Sequence, residues 1–140
     1  MRITDSFRIA VKAFIVHDGK LLILKRRSKD THKPNEWDIP GGRLEPGENP
    51  FSGLQREAKE ETNLDIEIIA PLGVQHFVRD DKQQITMIIF LCKSFNDSVQ
   101  LSDEHTGFAW KSVHDPASTF PAWLDEVLSN YLMYYSDKIG

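Results

Sequence analysis

The sequence predicts an α+β domain in which helices cover a sheet. Two observations carry this prediction. Runs of β-forming residues and helical segments follow each other in the order strands, helix, strands, helix. Both helical segments also carry apolar residues at a spacing of three to four, so each has an apolar stripe to bury. Sheets and amphipathic helices pack their apolar faces together, which makes a layered α/β/α arrangement the expected architecture.

The first predicted element is a β-hairpin. Residues 9–16 and 21–24 are rich in β-forming side chains, and Asp18-Gly19 lies between them. An Asp-Gly pair supplies the positive φ angles of a tight hairpin turn. A short extended piece is expected at 37–39, and Pro40-Gly41-Gly42 then interrupts the chain.

The second predicted element is a helix over 50–62. Pro50 suits the first helical turn, where its missing N–H has no partner to lose. Phe51, Leu54 and Ala58 fall on one face at helical spacing, which we expect to be the core face.

The rest of the chain predicts three strands and a final helix. The strands are expected over 66–78, 85–92 and 108–110, with a turn at 80–83 between the first two. The helix is expected over about 121–135, with a core-facing stripe. That stripe contains Leu124, Val127, Leu128, Tyr131, Leu132 and Tyr135.

Length and composition limit the classes of protein to consider. A chain of 140 residues predicts one domain over 1–140. The net charge of -4 disfavours a protein that binds duplex nucleic acid. No apolar stretch is long enough for a membrane helix, and residues 1–5 do not resemble a signal peptide, so we expect a cytoplasmic protein. The lone Cys92 lies in an apolar run and is expected to be buried.

Glutamates are concentrated on the predicted helix over 50–62. Glu57, Glu60 and Glu61 share one helix face, with Cβ atoms about 6 Å apart. Three carboxylates in one place repel each other, and a divalent cation such as Mg²⁺ relieves the repulsion. Glu48 can add a fourth carboxylate, and Arg56 can pair with Glu60 one turn later. Acidic helix faces are usually solvated surface, so the surrounding residues must decide between the two interpretations.

The segment 42–64 resembles the Nudix box. That pattern is Gly, five residues, Glu, seven residues, Arg-Glu, an apolar residue, any residue, Glu-Glu, any residue, Gly and an apolar residue. The chain matches every spacing and every charged position, through Gly42, Glu48 and the run from Arg56 to Leu64. The one departure is Asn63, where the family has Gly. Asn is the next most tolerant residue for the left-handed backbone expected after a helix.

Residues outside the box extend the resemblance to the MutT-like branch of the family. These residues are Arg26-Arg27, Asp30, His32, Asn35 and Pro40-Gly41-Gly42. The resemblance implies an α/β/α sandwich with a mixed sheet, in which the catalytic helix follows a Gly-rich loop and a helix stands near the C-terminus.

The resemblance also implies a metal centre. Glu57, Glu60 and Glu61 would hold Mg²⁺, or Mn²⁺ in its place. Glu48 and the Gly42 carbonyl would be secondary ligands, and Arg56 would orient the glutamates. The same comparison places Gly41 beside Gly42 at the substrate.

Two further roles remain open at this stage. In some family members the general base lies in the box, and in others it is a glutamate of a later loop. Glu104 is the best candidate of the later kind, ahead of His105, although a loop acid is as often solvated surface. Arg27 resembles an arginine that contacts substrate phosphate. Its neighbour Arg26 would point to the other face of a strand, so only one of the two is expected to reach the site.

The resemblance implies that the chain hydrolyses a nucleoside diphosphate linked to another moiety. A proline marks the ADP-ribose branch and a tyrosine marks the dinucleoside polyphosphate branch, and neither stands at the corresponding place downstream of the box. A nucleoside triphosphate pyrophosphohydrolase is therefore favoured, with a small-molecule nucleotide as its partner. Many family members form homodimers.

Alternatives to this function stay open. A hydrolase of a nucleotide sugar, ADP-ribose or another diphosphate fits the same box, and so does a module that senses a nucleotide without cutting it. Phe120 and Trp123 are candidates to stack on a base, although such aromatics are more often core. Leu124 takes the place of an asparagine that reads the purine in the best-known MutT-like enzyme.

Overall fold

The computed structural model describes residues 6–30 and 33–139. Seven strands form one sheet of mixed direction. They are β1 (Phe7–His17), β2 (Lys20–Arg26), β3 (Trp37–Asp38), β4 (Gly41–Arg43), β5 (Ile66–Val78), β6 (Gln84–Ser94) and β7 (His105–Ser112). The helices are α1 (Pro50–Thr62), a 3₁₀ turn (Ala122–Leu124), α2 (Asp125–Tyr134) and α3 (Ser136–Ile139).

The two strands of the predicted hairpin diverge beyond their turn. β1 and β2 pair only next to Asp18 and Gly19, which have φ of 50° and 72°. The segment β3–β4 fills the gap, because β3 pairs with β2 and β4 pairs with β1. This insertion brings Gly41 and Gly42 to the middle of the sheet.

The remaining strands complete the sheet on either side. β6 runs parallel to β1 and antiparallel to β5. β7 pairs antiparallel with β2, and the register of this pair shifts between Lys25 and Arg26 of β2. That shift is a β-bulge, which re-aims the side chains around it.

Alternation along β1 creates two apolar cores. Val11, Ala13 and Ile15 are buried in the cluster that contains Leu54 and Ala58 of α1. Ala10, Phe14 and Val16 belong to a second cluster, which contains Val127 and Tyr131 of α2. Because successive side chains point to opposite faces of a sheet, one helix covers each face. The predicted α/β/α architecture is confirmed.

Most elements lie where the sequence predicts them, but the exposure of Phe51 and the strand β4 differ from the predictions. The helix over 50–62 and the strand over 66–78 have the predicted bounds. Phe51 was expected on the core face of α1, but 53% of it is exposed and it only borders the core through the ring of Phe90. The strand β4 was missed, since Gly-Gly carries no β propensity and pairs through backbone alone.

The C-terminal segment is broken where a continuous helix was expected. A 3₁₀ turn precedes α2, and α3 follows it. Leu124, Val127 and Tyr131 of the predicted stripe are buried, whereas Leu132 is exposed. No helix in the described part of the chain is long and apolar enough to cross a bilayer.

Asparagines cap both ends of α1. The Asn49 side chain accepts hydrogen bonds from the N–H groups of Phe51 and Ser52, which otherwise lack partners. Asn63 follows the helix with φ 62° and ψ 17°, the left-handed conformation. Its N–H donates to the carbonyl of Lys59 at 2.9 Å and so ends the helix.

We expect Asn63→Ala to lower the free energy of unfolding by about 1–2 kcal/mol, because a Cβ without a local polar side chain disfavours this backbone. Asn63→Gly should keep wild-type stability, since Gly adopts positive φ freely. Urea denaturation of the three proteins tests this. An equal loss in both variants would show that the Asn63 side chain matters, and not its backbone.

Candidate active site

A cleft of about 880 Å³ opens where α1, β4 and the start of β7 meet. Glu57, Glu61 and Glu104 line it on the acidic side, and basic side chains line it elsewhere. Carboxylates and cations thus face one space.

Glu61 is the most deeply buried acid of the cleft, with 5% of its surface exposed. The N–H of Gly41 donates to its carboxylate at 2.8 Å. Gly41 has φ +146°, and a Cβ there would lie 2.0 Å from the carbonyl oxygen of Val11, so only glycine fits. Burial raises the pKa of Glu61 to about 8, although the charge of Lys12 and the Gly41 N–H both oppose the shift.

Glu57 lies one turn before Glu61 and also faces the cleft. The neighbouring Gly42 leaves it room, since a Cβ at that position would lie 2.9 Å from the carboxylate. Burial is the main cause that raises the pKa of Glu57, and Glu60 and Glu104 add to it by repulsion. Two carboxylates with raised pKa values therefore face one opening.

Arg56 holds the other glutamates around α1. Its guanidinium donates to both carboxylate oxygens of Glu48, at 2.8 and 3.0 Å. It also pairs with Glu57 and Glu60, each at 3.2 Å. The bond from Arg56 holds the pKa of Glu48 below its usual range. The predicted pairing of Arg56 with Glu60 is confirmed.

Glu60 stands apart from the cleft-lining acids. Its side chain is 58% exposed, and the cleft lining does not include it. The structure thus divides the predicted glutamates into two pairs. Glu57 and Glu61 line the cleft, whereas Glu48 and Glu60 flank it and are linked to Glu57 through Arg56.

The segment that carries Glu104 and His105 is tied to the end of α1. The N–H of Gln100 donates to the backbone carbonyl of Thr62 at 3.0 Å, and that of Ser102 donates to the backbone carbonyl of Glu61 at 3.4 Å. These bonds bring Glu104 and His105 next to Glu61. A carboxylate oxygen of each glutamate and a ring nitrogen of His105 all lie within 4.8 Å of one another.

His105 is the buried member of this group, with 8% of its surface exposed. Its Nδ1 has no hydrogen-bond partner in the part of the chain that the structure describes. Burial lowers the pKa of His105 to about 4, and the charge of Lys12 acts in the same direction. The imidazole is therefore neutral at physiological pH.

Both arginines at the end of β2 line the cleft, so the expectation that only one reaches it is wrong. β2 ends at Arg26, and the simple alternation of a strand does not extend to Arg27. Asp30 accepts from Arg27 at 2.6 Å and pairs with Arg26 at 3.2 Å. The backbone N–H of Arg27 donates to the carbonyl of Glu104 at 3.2 Å, which joins this loop to β7.

An aromatic wall stands at another side of the cleft. The rings of Trp123 and Phe77 form this wall. Gln75 also lines the cleft, and its side-chain amide donates to the carbonyl of Trp123 at 2.7 Å. The ammonium of Lys33 lies 6.0 Å from the Phe77 ring centroid and 5.8 Å from that of Trp123.

The sequence identified only Trp123 of this wall. Phe77 and Gln75 belong to β5, whose pattern says nothing about what its far end contacts. Phe120 packs against the core and is not among the cleft-lining residues. Leu124 is fully buried and does not reach the cleft. His32 and residues 1–5 lie outside the described residues.

The acids of the cleft have the chemistry of a divalent metal site. Glu57, Glu61 and Glu104 repel one another, and Lys12 is already engaged by Asp38 at 3.1 Å. Carboxylate oxygens are hard ligands that suit divalent cations. A cation bound among them would offset the raised pKa values of Glu57 and Glu61.

In the presence of a chelator, we expect the free energy of unfolding to fall as the pH rises from 6.5 to 8. Glu61 has a pKa of about 8 in the folded chain, well above that of an unfolded carboxyl, so the folded state binds more protons in this range. Its stabilising proton is lost as the pH rises through 8. Glu61→Gln should remove most of this slope in urea denaturation, and an unchanged slope would contradict the assignment.

Comparison with known proteins identifies the family of this chain. The family model of the NUDIX domain matches residues 6–131. Nucleoside triphosphatase NudI of Escherichia fergusonii is 33% identical over 120 residues, which are 79% of this chain and 85% of that protein. A MutT-like protein of Streptomyces ambofaciens is 32% identical over 103 residues, which are 73% of this chain and 62% of that protein. Nudix hydrolase 5 of Arabidopsis thaliana is 30% identical over 115 residues, and the match covers 79% of this chain but only 38% of that protein's length.

The fold also has a close counterpart among solved structures. The crystal structure of the MutT protein from Methanosarcina mazei superposes with a TM-score of 0.79 at 26% identity, and the match covers 94% of this chain and 97% of that one. Members of this family generally use divalent metal ions. The chain belongs to the NUDIX family, in its MutT-like branch.

Proposed function

We propose that the chain is a Mg²⁺-dependent pyrophosphohydrolase of nucleoside triphosphates. The observation that carries this proposal is the pair Glu57 and Glu61, which lines the same cleft as Arg27. A triphosphate needs both features, since a metal site neutralises part of its charge and cations hold the rest. The NudI relative of Escherichia fergusonii is named a nucleoside triphosphatase, which supports the same substrate class.

Five groups are proposed to hold the ion. Glu57, Glu60 and Glu61 supply the main carboxylates, with Glu48 and the carbonyl of Gly42 as secondary ligands. A bound Mg²⁺ neutralises phosphate charge and lowers the pKa of the water that it carries. Glu60 is the outlying member, because its exposed carboxylate is not part of the cleft lining; Arg56 pairs with it as well as with Glu48 and Glu57.

The basic residues of the cleft are proposed to bind the phosphates. Arg27 is the main candidate, since its guanidinium lies at the cleft and Asp30 holds it in place. A planar guanidinium can donate two hydrogen bonds to one phosphate. Gly41 and Gly42 contribute a backbone surface without Cβ atoms, which allows a phosphate to approach closely.

Glu104 is proposed to take the proton from the attacking water. It lies beside Glu61 and is an exposed residue, so water has access to it. A general base must be within hydrogen-bond reach of the water that it activates. The two backbone hydrogen bonds from Gln100 and Ser102 to the end of α1 keep Glu104 near the glutamates.

The base of the nucleotide is proposed to lie against Trp123 and Phe77. An aromatic ring stacks on any base and gives little selectivity by itself. Gln75 can add selectivity, because its amide nitrogen already donates to the Trp123 carbonyl. Its amide oxygen can accept a hydrogen bond from a base, and its second N–H can donate one.

The direct test is release of phosphate or pyrophosphate from a panel of nucleoside triphosphates, ADP-ribose and nucleotide sugars, with and without Mg²⁺. We expect Mg²⁺-dependent release of pyrophosphate from triphosphates. Release from ADP-ribose or a nucleotide sugar alone would replace the substrate class. Tight nucleotide binding without release from any substrate would instead indicate a sensing module.

Replacement of a glutamate tests the metal assignment. We expect Glu60→Gln to lower turnover by at least about a hundredfold, the scale seen when one electrostatic stabiliser of a transition state is removed. Glu67→Gln is the matched control, because Glu67 is an exposed glutamate of β5. Turnover of Glu60→Gln within a few-fold of wild type would remove Glu60 from the site.

A further inference from the structure

His105 stands out among the residues around the acidic side of the cleft. It is more than nine-tenths buried and has an unpaired Nδ1 within the described residues. Buried polar side chains nearly always have a hydrogen-bond partner, and one that lacks it calls for an explanation. The ring lies beside the carboxylates of Glu61 and Glu104, where an imidazole can serve as a metal ligand.

The neighbours of His105 have ligand chemistry too. One ring nitrogen of His105 and one carboxylate oxygen each of Glu61 and Glu104 lie within 4.8 Å of one another. Ligands at about 2.1 Å from a common ion lie roughly 3 to 4.2 Å apart. Small side-chain rotations therefore suffice to bring the three groups around one ion.

We infer that Glu61, Glu104 and His105 form a mixed nitrogen and oxygen site that takes a first-row transition ion such as Mn²⁺ or Co²⁺ in preference to Mg²⁺. Imidazole nitrogen suits transition ions, whereas Mg²⁺ takes oxygen ligands almost exclusively. The inference rests on the proposed function only in that Glu61 is shared with the Mg²⁺ ligands. It gives Glu104 a ligand role beside its proposed role as base.

The backbone holds the three ligands in register. The bulge between Lys25 and Arg26 shifts β7 so that His105 stands across from Arg26. Without the shift, His105 would be displaced by one residue along β2 and its side chain would turn to the other face. The Ser102 bond to the carbonyl of Glu61 holds the other end of the segment against α1.

The nearby cations do not block an ion at this place. Lys12 is close enough for its charge to act on both Glu61 and His105. Its ammonium is engaged by the carboxylate of Asp38 at 3.1 Å and by the carbonyl of Ile39 at 3.2 Å. Arg26 pairs with Asp30 and Asp38, which offset its charge in the same way.

The test is titration of the full chain with Co²⁺, followed by visible absorption and by calorimetry. We expect His105→Gln to weaken Co²⁺ binding by at least about tenfold and to shift the visible band, because a nitrogen ligand is lost. Mg²⁺ binding, measured by calorimetry with Mg²⁺ alone, should change by less than about threefold. His114→Gln is the matched control, because His114 is exposed.

A second measurement needs no variant and decides the question if His105→Gln does not fold. Substoichiometric Mn²⁺ should broaden the ring resonances of His105 in the wild-type protein before those of His76 and His114, since a paramagnetic ion acts on the nearest nuclei first. Equal broadening of the ring resonances of all three histidines would overturn the site. The site would also be overturned if His105→Gln left the Co²⁺ affinity and the visible spectrum unchanged. Neither result affects Mg²⁺-dependent turnover, so the proposed function fails or survives separately.

Discussion

The hydrogen bond from the Gly41 N–H to the buried carboxylate of Glu61 is the contact on which the site depends. It joins α1 to β4 and, through the pairing of β4 with β1, to the centre of the sheet. It also gives a carboxylate with a pKa of about 8 one fixed donor in a place that water barely reaches. An acid in such surroundings binds either a proton or a cation, and a fold with this acid at its centre is suited to metal chemistry.

On the outer side of α1, Arg56 offsets the repulsion among the glutamates. Three glutamates near one another would repel and weaken the helix, but one guanidinium contacts Glu48, Glu57 and Glu60 together. The planar fork of arginine allows this because its N–H groups point in several fixed directions. The helix can therefore carry a dense acidic face, while Leu54 and Ala58 on its other side remain in the core.

The cleft combines three chemically different surfaces that come from distant parts of the chain. Glu57 and Glu61 come from α1, Arg26 and Arg27 from the end of β2, and the aromatic wall from β5 and the 3₁₀ turn. The sheet brings them together, because the divergence of β1 from β2 leaves room for the β3–β4 segment between them. The β-bulge between Lys25 and Arg26 places His105 opposite Arg26, and His105 lines the same cleft.

The sequence by itself determined the local elements and the helix that carries the acids. The bounds of α1, the left-handed turn at Asn63 and the pairing of Arg56 with Glu60 follow from short-range spacing and backbone preference, which a single segment contains. Only the tertiary structure decided that Phe51 is exposed, that Glu60 lies outside the cleft, and that both arginines reach it. It also decided that Phe77 and Gln75 face Trp123, and that His105 is buried beside Glu61. These features depend on strand register, a bulge and the pairing of segments far apart in the chain, and no local pattern encodes such long-range contacts.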